Sequence, residues 1–198
     1  KDGKSYRIPS ETDLKALEKI PTNITRPREM MPIKYTQALP SCTWGLSEWG
    51  EMFTDRQMTF MNTIIESLEN LKFTDNQDYN SIINAYMGIL INRIAQRQTS
   101  FGIWDKSREN LQDIFGRQAI SMMLDYPESN PFYNSGGGAL NQLDWILRYI
   151  NDESKQTFST HCNHSSSGDV TQFEKGFLNV TVTDPPYYDA IAYADLSD

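Results

Sequence analysis

The chain has 198 residues, of which 38% are hydrophobic and 12% aromatic, so we expect one domain, or one domain with an appendage, that buries a real core. The formal net charge of -8 is unfavourable for binding phosphate, although a net charge does not exclude a local basic groove. The two cysteines argue against a disulfide scaffold, and neither a signal-peptide pattern nor an apolar run of about 20 residues occurs, which predicts a cytoplasmic protein without a membrane segment.

Residues 1–43 are predicted to form an extended arm, a short helix and a long irregular connection. Ser10 and Asp13 have the spacing of a capping box, which predicts a helix that begins there and ends by Pro21. The next stretch, PTNITRPREMMPIKYTQALPSC, contains four prolines and no sustained hydrophobic period. It therefore reads as a connection without regular structure.

Residues 44–155 are predicted to be mostly helical. Thr54 and Gln57 form a second capping box at the start of a long helix, two further helices are predicted over 79–97 and 139–151, and Ser107 is predicted to cap a short one. The apolar residues at helical spacing, which are expected to face the core, are Met58, Met61, Ile64, Ile65, Leu68 and Leu71, then Ile82, Ile83, Tyr86, Leu90 and Ile94, and then Leu140, Leu143, Leu147 and Ile150.

Several features of this helical region have a functional and a structural interpretation. The densest basic group is Arg93, Arg97, Arg108 and Arg117. These arginines either form a solvated helix face or contact phosphate. The aromatic residues Trp44, Trp49, Phe53, Trp104 and Phe115 are predicted to be core anchors rather than base-stacking platforms.

The glycines in SGGGALNQLDW precede a helix and could be read as a ligand loop. We predict a flexible loop instead, because no convincing strand leads into them. A metal is not predicted either. The potential ligands Cys42, His161, Cys162 and His164 lack the paired spacings that are typical of zinc sites.

The last 43 residues change in character. KQTFSTHCN and FLNVTVT are predicted strands, and the second leads directly into Asp184, Pro185, Pro186 and Tyr187. At the carboxyl end of a strand, Asp184 can accept hydrogen bonds from an exocyclic amine, the two prolines stiffen the backbone, and Tyr187 can stack on a planar ring. Such a loop suits methyl transfer to an amine, which needs mainly positioning and electrostatic support. The alternative is a rigid turn after an edge strand.

This loop carries a family resemblance. DPPY is the catalytic signature of amino-methyltransferases that use S-adenosylmethionine, and TDPPYYDAIAYADLSD resembles the form found in large adenine-specific DNA methylases. Two earlier blocks resemble the same family in the same order, WGEMFTDRQ at 49–57 and WDKSRENLQDIFGRQAISMMLDYPESNPF at 104–132. In the family pattern a proline is commoner at the position of Ala192 and a tryptophan at that of Leu124.

The resemblance implies an α/β fold, a Rossmann-like class I methyltransferase domain interrupted by a helical insertion. Residues 44–155 would be the insertion and 156–198 part of the catalytic domain. By the same resemblance, Asp184, Pro185, Pro186 and Tyr187 are the catalytic residues. Tyr188 and Asp189 are weaker candidates for substrate binding or loop support. No F-x-G-x-G cofactor loop occurs in this sequence, so we expect a fragment that is inactive by itself.

The implied cofactor is S-adenosylmethionine and the implied partner is DNA, with restriction or other defence proteins as further partners. Related loops serve cytosine, RNA bases and glutamine side chains, because all of these present a planar amine. An amino-methyltransferase with another substrate is therefore one alternative. A non-catalytic interaction module from a degenerate methylase is the second.

Overall fold

The computed structural model describes residues 6–32, 39–115, 118–134, 136–188 and 190–197, and in these ranges the chain is mostly helical with one small antiparallel sheet. The helices in the described ranges are α1 (Glu11–Leu17), α2 (Asp55–Glu69), α3 (Gln77–Ala95), α4 (Ala139–Glu153) and α5 (Tyr193–Ser197), with 3₁₀ turns at Pro40–Trp44 and Trp49–Met52. The strands are β1 (Ile103–Asp105) and β2 (Asn110–Gln112). None of the described helices is long and apolar enough to cross a membrane.

Both predicted capping boxes are confirmed. At the start of α1, the Ser10 N–H donates to Asp13 Oδ2 at 2.7 Å and Asp13 N–H donates back to Ser10 Oγ at 3.4 Å. At the start of α2, the Thr54 N–H donates to Gln57 Oε1 at 2.8 Å and the Gln57 N–H to Thr54 Oγ1 at 3.2 Å. Each box satisfies backbone donors that the first turn of a helix leaves unpaired.

The two later helices are confirmed, but their buried faces differ from the prediction. In α4, Leu140 and Leu147 are 57% and 52% exposed, whereas Ile146 is buried against Leu90 and Ile94 of α3. The reason is that one neighbouring helix covers only a narrow stripe, and Leu140 and Leu147 lie outside the stripe that contacts α3. Three more residues that were predicted to face the core are likewise exposed: Ile65 on α2, Leu71 beyond the end of α2, and Ile82 on α3.

The predicted helix at Ser107 is wrong, because the segment forms a β-hairpin. Asp105 Oδ1 accepts hydrogen bonds from the backbone N–H of Ser107 at 2.8 Å and from its hydroxyl at 2.6 Å. This turn allows β1 and β2 to pair, with Trp104 opposite Leu111. The serine therefore caps a turn through an aspartate that precedes it rather than opening a helix.

The two predicted strands near the C-terminal end are also wrong. Residues 155–163 and 177–183 are irregular and almost entirely exposed, and Val180 and Val182 have exposed fractions of 76% and 91%. A β-branched run becomes a strand only when a neighbour accepts and donates its backbone hydrogen bonds, and no strand in the described ranges lies beside this one. The sheet of the described chain is therefore the β1–β2 hairpin.

Two apolar clusters hold the fold together. The first contains the buried residues Met31, Leu39, Met52, Phe101, Ile114 and Ile120. The second joins α2, α3 and α4 through Leu90, Ile94 and Ile146. Of the predicted aromatic anchors, Trp49, Phe53 and Phe115 pack against the first cluster, as predicted. Trp44 is 69% exposed, because the short 3₁₀ turn that it ends directs Ser41 inward instead.

Candidate functional site

The Asp184–Tyr187 loop is attached to the core by the helix that follows it. Ala192 is buried, and its carbonyl accepts a hydrogen bond from Leu196 N–H at 3.0 Å. Leu196 in turn packs against the first apolar cluster. The short helix α5 therefore connects the exposed loop to the first apolar cluster.

A tight turn orients the tyrosines after the prolines. The Tyr187 carbonyl accepts a hydrogen bond from Ala190 N–H at 3.0 Å, and the Tyr187 N–H donates to Tyr193 Oη at 3.3 Å. Tyr188 adopts a left-handed backbone conformation, with φ of 51°, and its side chain is 95% exposed. Asp189, the other weaker candidate, lies outside the described residues. The turn thus presents Tyr188 to solvent and brings the Tyr187 backbone to the Tyr193 hydroxyl.

A shallow, mainly polar hollow of about 350 Å³, which we call the loop hollow, is lined by Gln118, Asp184, Pro185, Pro186, Tyr187 and Tyr193. All four predicted catalytic residues are therefore brought to one surface. Tyr187 is 63% exposed, so its ring has a face available for stacking. The hollow offers a carboxylate acceptor, a flat aromatic face and a side-chain amide within one concavity.

Two lining residues, Gln118 and Tyr193, were missed by the sequence analysis. Both lie inside blocks that carry the family resemblance, and this was the signal that could have found them. Gln118 lies near the Asp184–Tyr187 loop because Ile120, two residues later, belongs to the apolar cluster that Leu196 contacts. The shared cluster fixes both walls of the hollow.

Of the four predicted phosphate contacts, Arg97 and Arg108 each lie beside a carboxylate. Arg97 is largely buried: its guanidinium donates to the Arg93 carbonyl at 3.4 Å and lies 3.4 Å from Asp113 Oδ2. Burial lowers the pKa of Arg97, whereas Asp113 raises it and Arg93 lowers it further. Arg108 is 3.7 Å from Asp105 Oδ2, and Arg117 lies outside the described residues. The predicted i, i+4 proximity of Arg93 and Arg97 is confirmed.

The glycine segment at 136–138 is a packed structural loop rather than the flexible loop that we predicted. The buried Gln98 side chain donates to the Gly137 carbonyl at 3.2 Å and to Ser129 Oγ at 2.7 Å, and Gln142 donates to the Gly136 carbonyl at 2.8 Å. A Cβ on Gly137 would lie 2.7 Å from Ser129 Cβ. These glycines allow the backbone to approach Ser129, so they do not fit a phosphate- or cofactor-binding loop.

The cysteines and histidines show no metal-binding arrangement. Cys42 and Cys162 are free thiols, and His161 makes an edge contact with Phe173 at 6.5 Å between ring centroids. Across the described ranges, no group of three or more His, Cys, Asp or Glu side chains is arranged to hold a metal ion.

Comparisons of the chain with models of protein families, with curated proteins and with solved structures found no match in any of the three. The resemblance to adenine methylases therefore rests on the three sequence blocks. The loop hollow is where residues of two of those blocks meet, because Gln118 comes from 104–132 and the other lining residues from the last block.

Proposed function

We propose that this chain supplies the target-amine loop for S-adenosylmethionine-dependent methyl transfer to the exocyclic amine of adenine in DNA. The observation that carries the proposal is the loop hollow, in which the Asp184 carboxylate and the exposed Tyr187 ring line one concavity. The proposed setting is a Rossmann-like class I methyltransferase domain with a helical insertion. Its support is the sequence resemblance.

Each residue of the loop has a role in the proposed methyl transfer. The amine nitrogen forms a bond to the methyl carbon of the donor, whose sulfur leaves with the bonding electron pair, and the nitrogen then releases a proton. Asp184 accepts a hydrogen bond from the amine, which directs the nitrogen lone pair and stabilises the positive charge that develops on it. Pro185 and Pro186 fix the backbone, and Tyr187 stacks on a base that has left the duplex.

The methyl donor has no assigned site among the described residues, so the proposal gives this chain only the amine-orienting part of the reaction. The net charge of the chain is negative, and Arg97 and Arg108 are paired with carboxylates. Both features offer little attraction for the phosphates of DNA. The proposal therefore relies on the loop to recognise the base. Contacts to the phosphate backbone of DNA are left unassigned.

The test is transfer of labelled methyl from S-adenosylmethionine, measured with the purified protein as the cell makes it. Unmethylated DNA, tRNA and a glutamine-rich protein are offered separately to wild type, Asp184→Ala and Asp169→Ala. Label is expected in DNA, and Asp184→Ala is expected to lower the rate on the order of 100-fold, because the developing charge loses its partner. Asp169 is a suitable control, since it is also exposed in the last 43 residues and its carboxylate accepts hydrogen bonds from nearby Thr171.

Three results would contradict the proposal in different ways. Label in tRNA or protein alone would keep the chemistry and change the substrate. Equal rates for wild type and Asp184→Ala would remove the role of the carboxylate. No label in any substrate, from a folded protein that binds the methyl donor, would favour a non-catalytic interaction module.

A further inference from the structure

We propose that Gln118 binds and orients the substrate in the loop hollow by donating a hydrogen bond from its side-chain amide to the ring nitrogen beside the target amine. This inference rests on the proposed function, because it concerns the base that Asp184 and Tyr187 would hold. It adds a contact to the edge of the ring.

The first observation is the position of Gln118. It lines the loop hollow together with Asp184 and Tyr187, although it lies far from them in the sequence. Ile120 and Leu196, which belong to the segments on the two sides, contact one apolar cluster. Gln118 is therefore held beside the loop by the core rather than by chance proximity of two exposed chains.

The second observation is the set of hydrogen-bonding groups around the hollow. The Asp184 carboxylate only accepts, the prolines have no N–H, and the Tyr187 N–H already donates to Tyr193 Oη. The Gln118 side chain has no hydrogen-bond partner within the described part of the chain and is exposed. Its amide thus brings two available N–H donors to the hollow, where the other side-chain donors are the hydroxyls of Tyr187 and Tyr193.

The chemistry of the target completes the argument. Next to its exocyclic amine, adenine has a ring nitrogen, N1, that accepts a hydrogen bond, and cytosine has the equivalent N3. A glutamine side chain has an acceptor in the same place, its amide oxygen, but it has no ring on which Tyr187 could stack. A donor at Gln118 would therefore hold the acceptor atom beside the amine, while Asp184 engages the amine itself.

The experiment measures binding, so it does not depend on methyl transfer. The probes are deoxyadenosine and 1-deazadeoxyadenosine, which are uncharged and therefore not repelled by the acidic chain. Each nucleoside is titrated into the isotope-labelled 198-residue chain, and amide chemical shifts at Gln118, Tyr187 and Tyr193 report the binding. The variants are Gln118→Ala, Gln118→Glu and the control Gln156→Ala, an exposed glutamine outside the hollow.

We expect Gln118→Ala and Gln118→Glu to weaken deoxyadenosine binding about fivefold, the effect of one lost hydrogen bond, and Gln156→Ala to leave it unchanged. Wild type should bind 1-deazadeoxyadenosine about as weakly as Gln118→Ala binds deoxyadenosine. Gln118→Ala should bind 1-deazadeoxyadenosine no more weakly than it binds deoxyadenosine, because the variant and the analogue remove the same hydrogen bond. A purely structural role of Gln118 would not produce this pattern.

Two outcomes would overturn the inference, and they separate it from the proposed function. If wild type binds both nucleosides equally, or if Gln118→Ala binds like wild type, Gln118 has no role at the ring while the function of Asp184 and Tyr187 stands. If wild type binds neither nucleoside, the loop hollow does not recognise a base, and both proposals fail.

Discussion

The ionisation of Asp105 is coupled to the turn that joins β1 and β2. The Ser107 hydroxyl, donating to its carboxylate, is the largest influence that lowers the pKa of Asp105 from the ordinary 3.8 to about 2, and burial opposes it. Since the folded-state pKa lies below the ordinary one, the carboxylate stabilises the turn at neutral pH. That contribution is lost as the pH falls from 3.8 through about 2.

We predict that Ser107→Ala raises the pKa of Asp105 towards its ordinary value, because the strongest hydrogen bond to the carboxylate is removed. The measurement is a titration of the Asp105 carboxyl carbon by NMR. Thr171→Ala is the matched control, since the Thr171 hydroxyl donates to Asp169 in the same way, at 2.6 Å. It should raise the pKa of Asp169 and leave Asp105 unchanged. Identical Asp105 titrations in wild type and Ser107→Ala would contradict the assignment.

Arg93 and Arg97 show which contacts of a single residue can be predicted from a sequence. The spacing of Arg93 and Arg97 correctly predicts that they lie one turn apart, with Arg97 just beyond the end of α3. The ion pair between Arg97 and Asp113 was not predicted, because it joins the end of a helix to a residue after β2. A local period determines the face of a helix, but the partner of a charge depends on how the rest of the chain folds.

Among the elements, the glycine loop and α3 offer a matched pair of substitutions. Gly137→Ala should lower the free energy of unfolding by about 1–3 kcal/mol, because the new Cβ collides with Ser129 and disturbs the bonds from Gln98. Gly88→Ala, in the interior of α3, should raise it by about 0.5–1 kcal/mol, because the Cβ meets nothing within 4 Å and alanine favours the helix.

Urea unfolding monitored by circular dichroism measures both changes. If Gly137→Ala were as stable as wild type, the glycine loop would not be tightly packed, and the prediction of a flexible loop would be correct. A destabilising Gly88→Ala would indicate that α3 contacts another surface at that position.

The helices were predicted better than the strands for a physical reason. The signals at Ser10 and Thr54 act within one turn of the chain, so the residues that satisfy each other are visible in the sequence. The run at 177–183 has strand-forming residues, but its pairing partner must come from elsewhere. The β1–β2 hairpin was missed because Asp105 accepts from Ser107, and this turn competes with the predicted cap.

For the whole molecule, one apolar cluster links the parts of the site. Residues from the N-terminal connection, from the hairpin region and from α5 meet at Leu39, Phe101, Ile114 and Leu196. The sequence predicted the loop that carries Asp184, because DPPY is a local signature. It did not predict Gln118, because the contact between two distant segments depends on this shared core.

The measurement that tests the central claim most directly is the identity of the methylated nucleoside. DNA is incubated with S-adenosylmethionine and the protein as the cell makes it, digested to nucleosides and analysed by mass spectrometry. The account predicts N6-methyldeoxyadenosine with wild type and on the order of 100-fold less with Asp184→Ala. A methyl group on another atom or another base, or equal N6-methyldeoxyadenosine from both proteins, would contradict it.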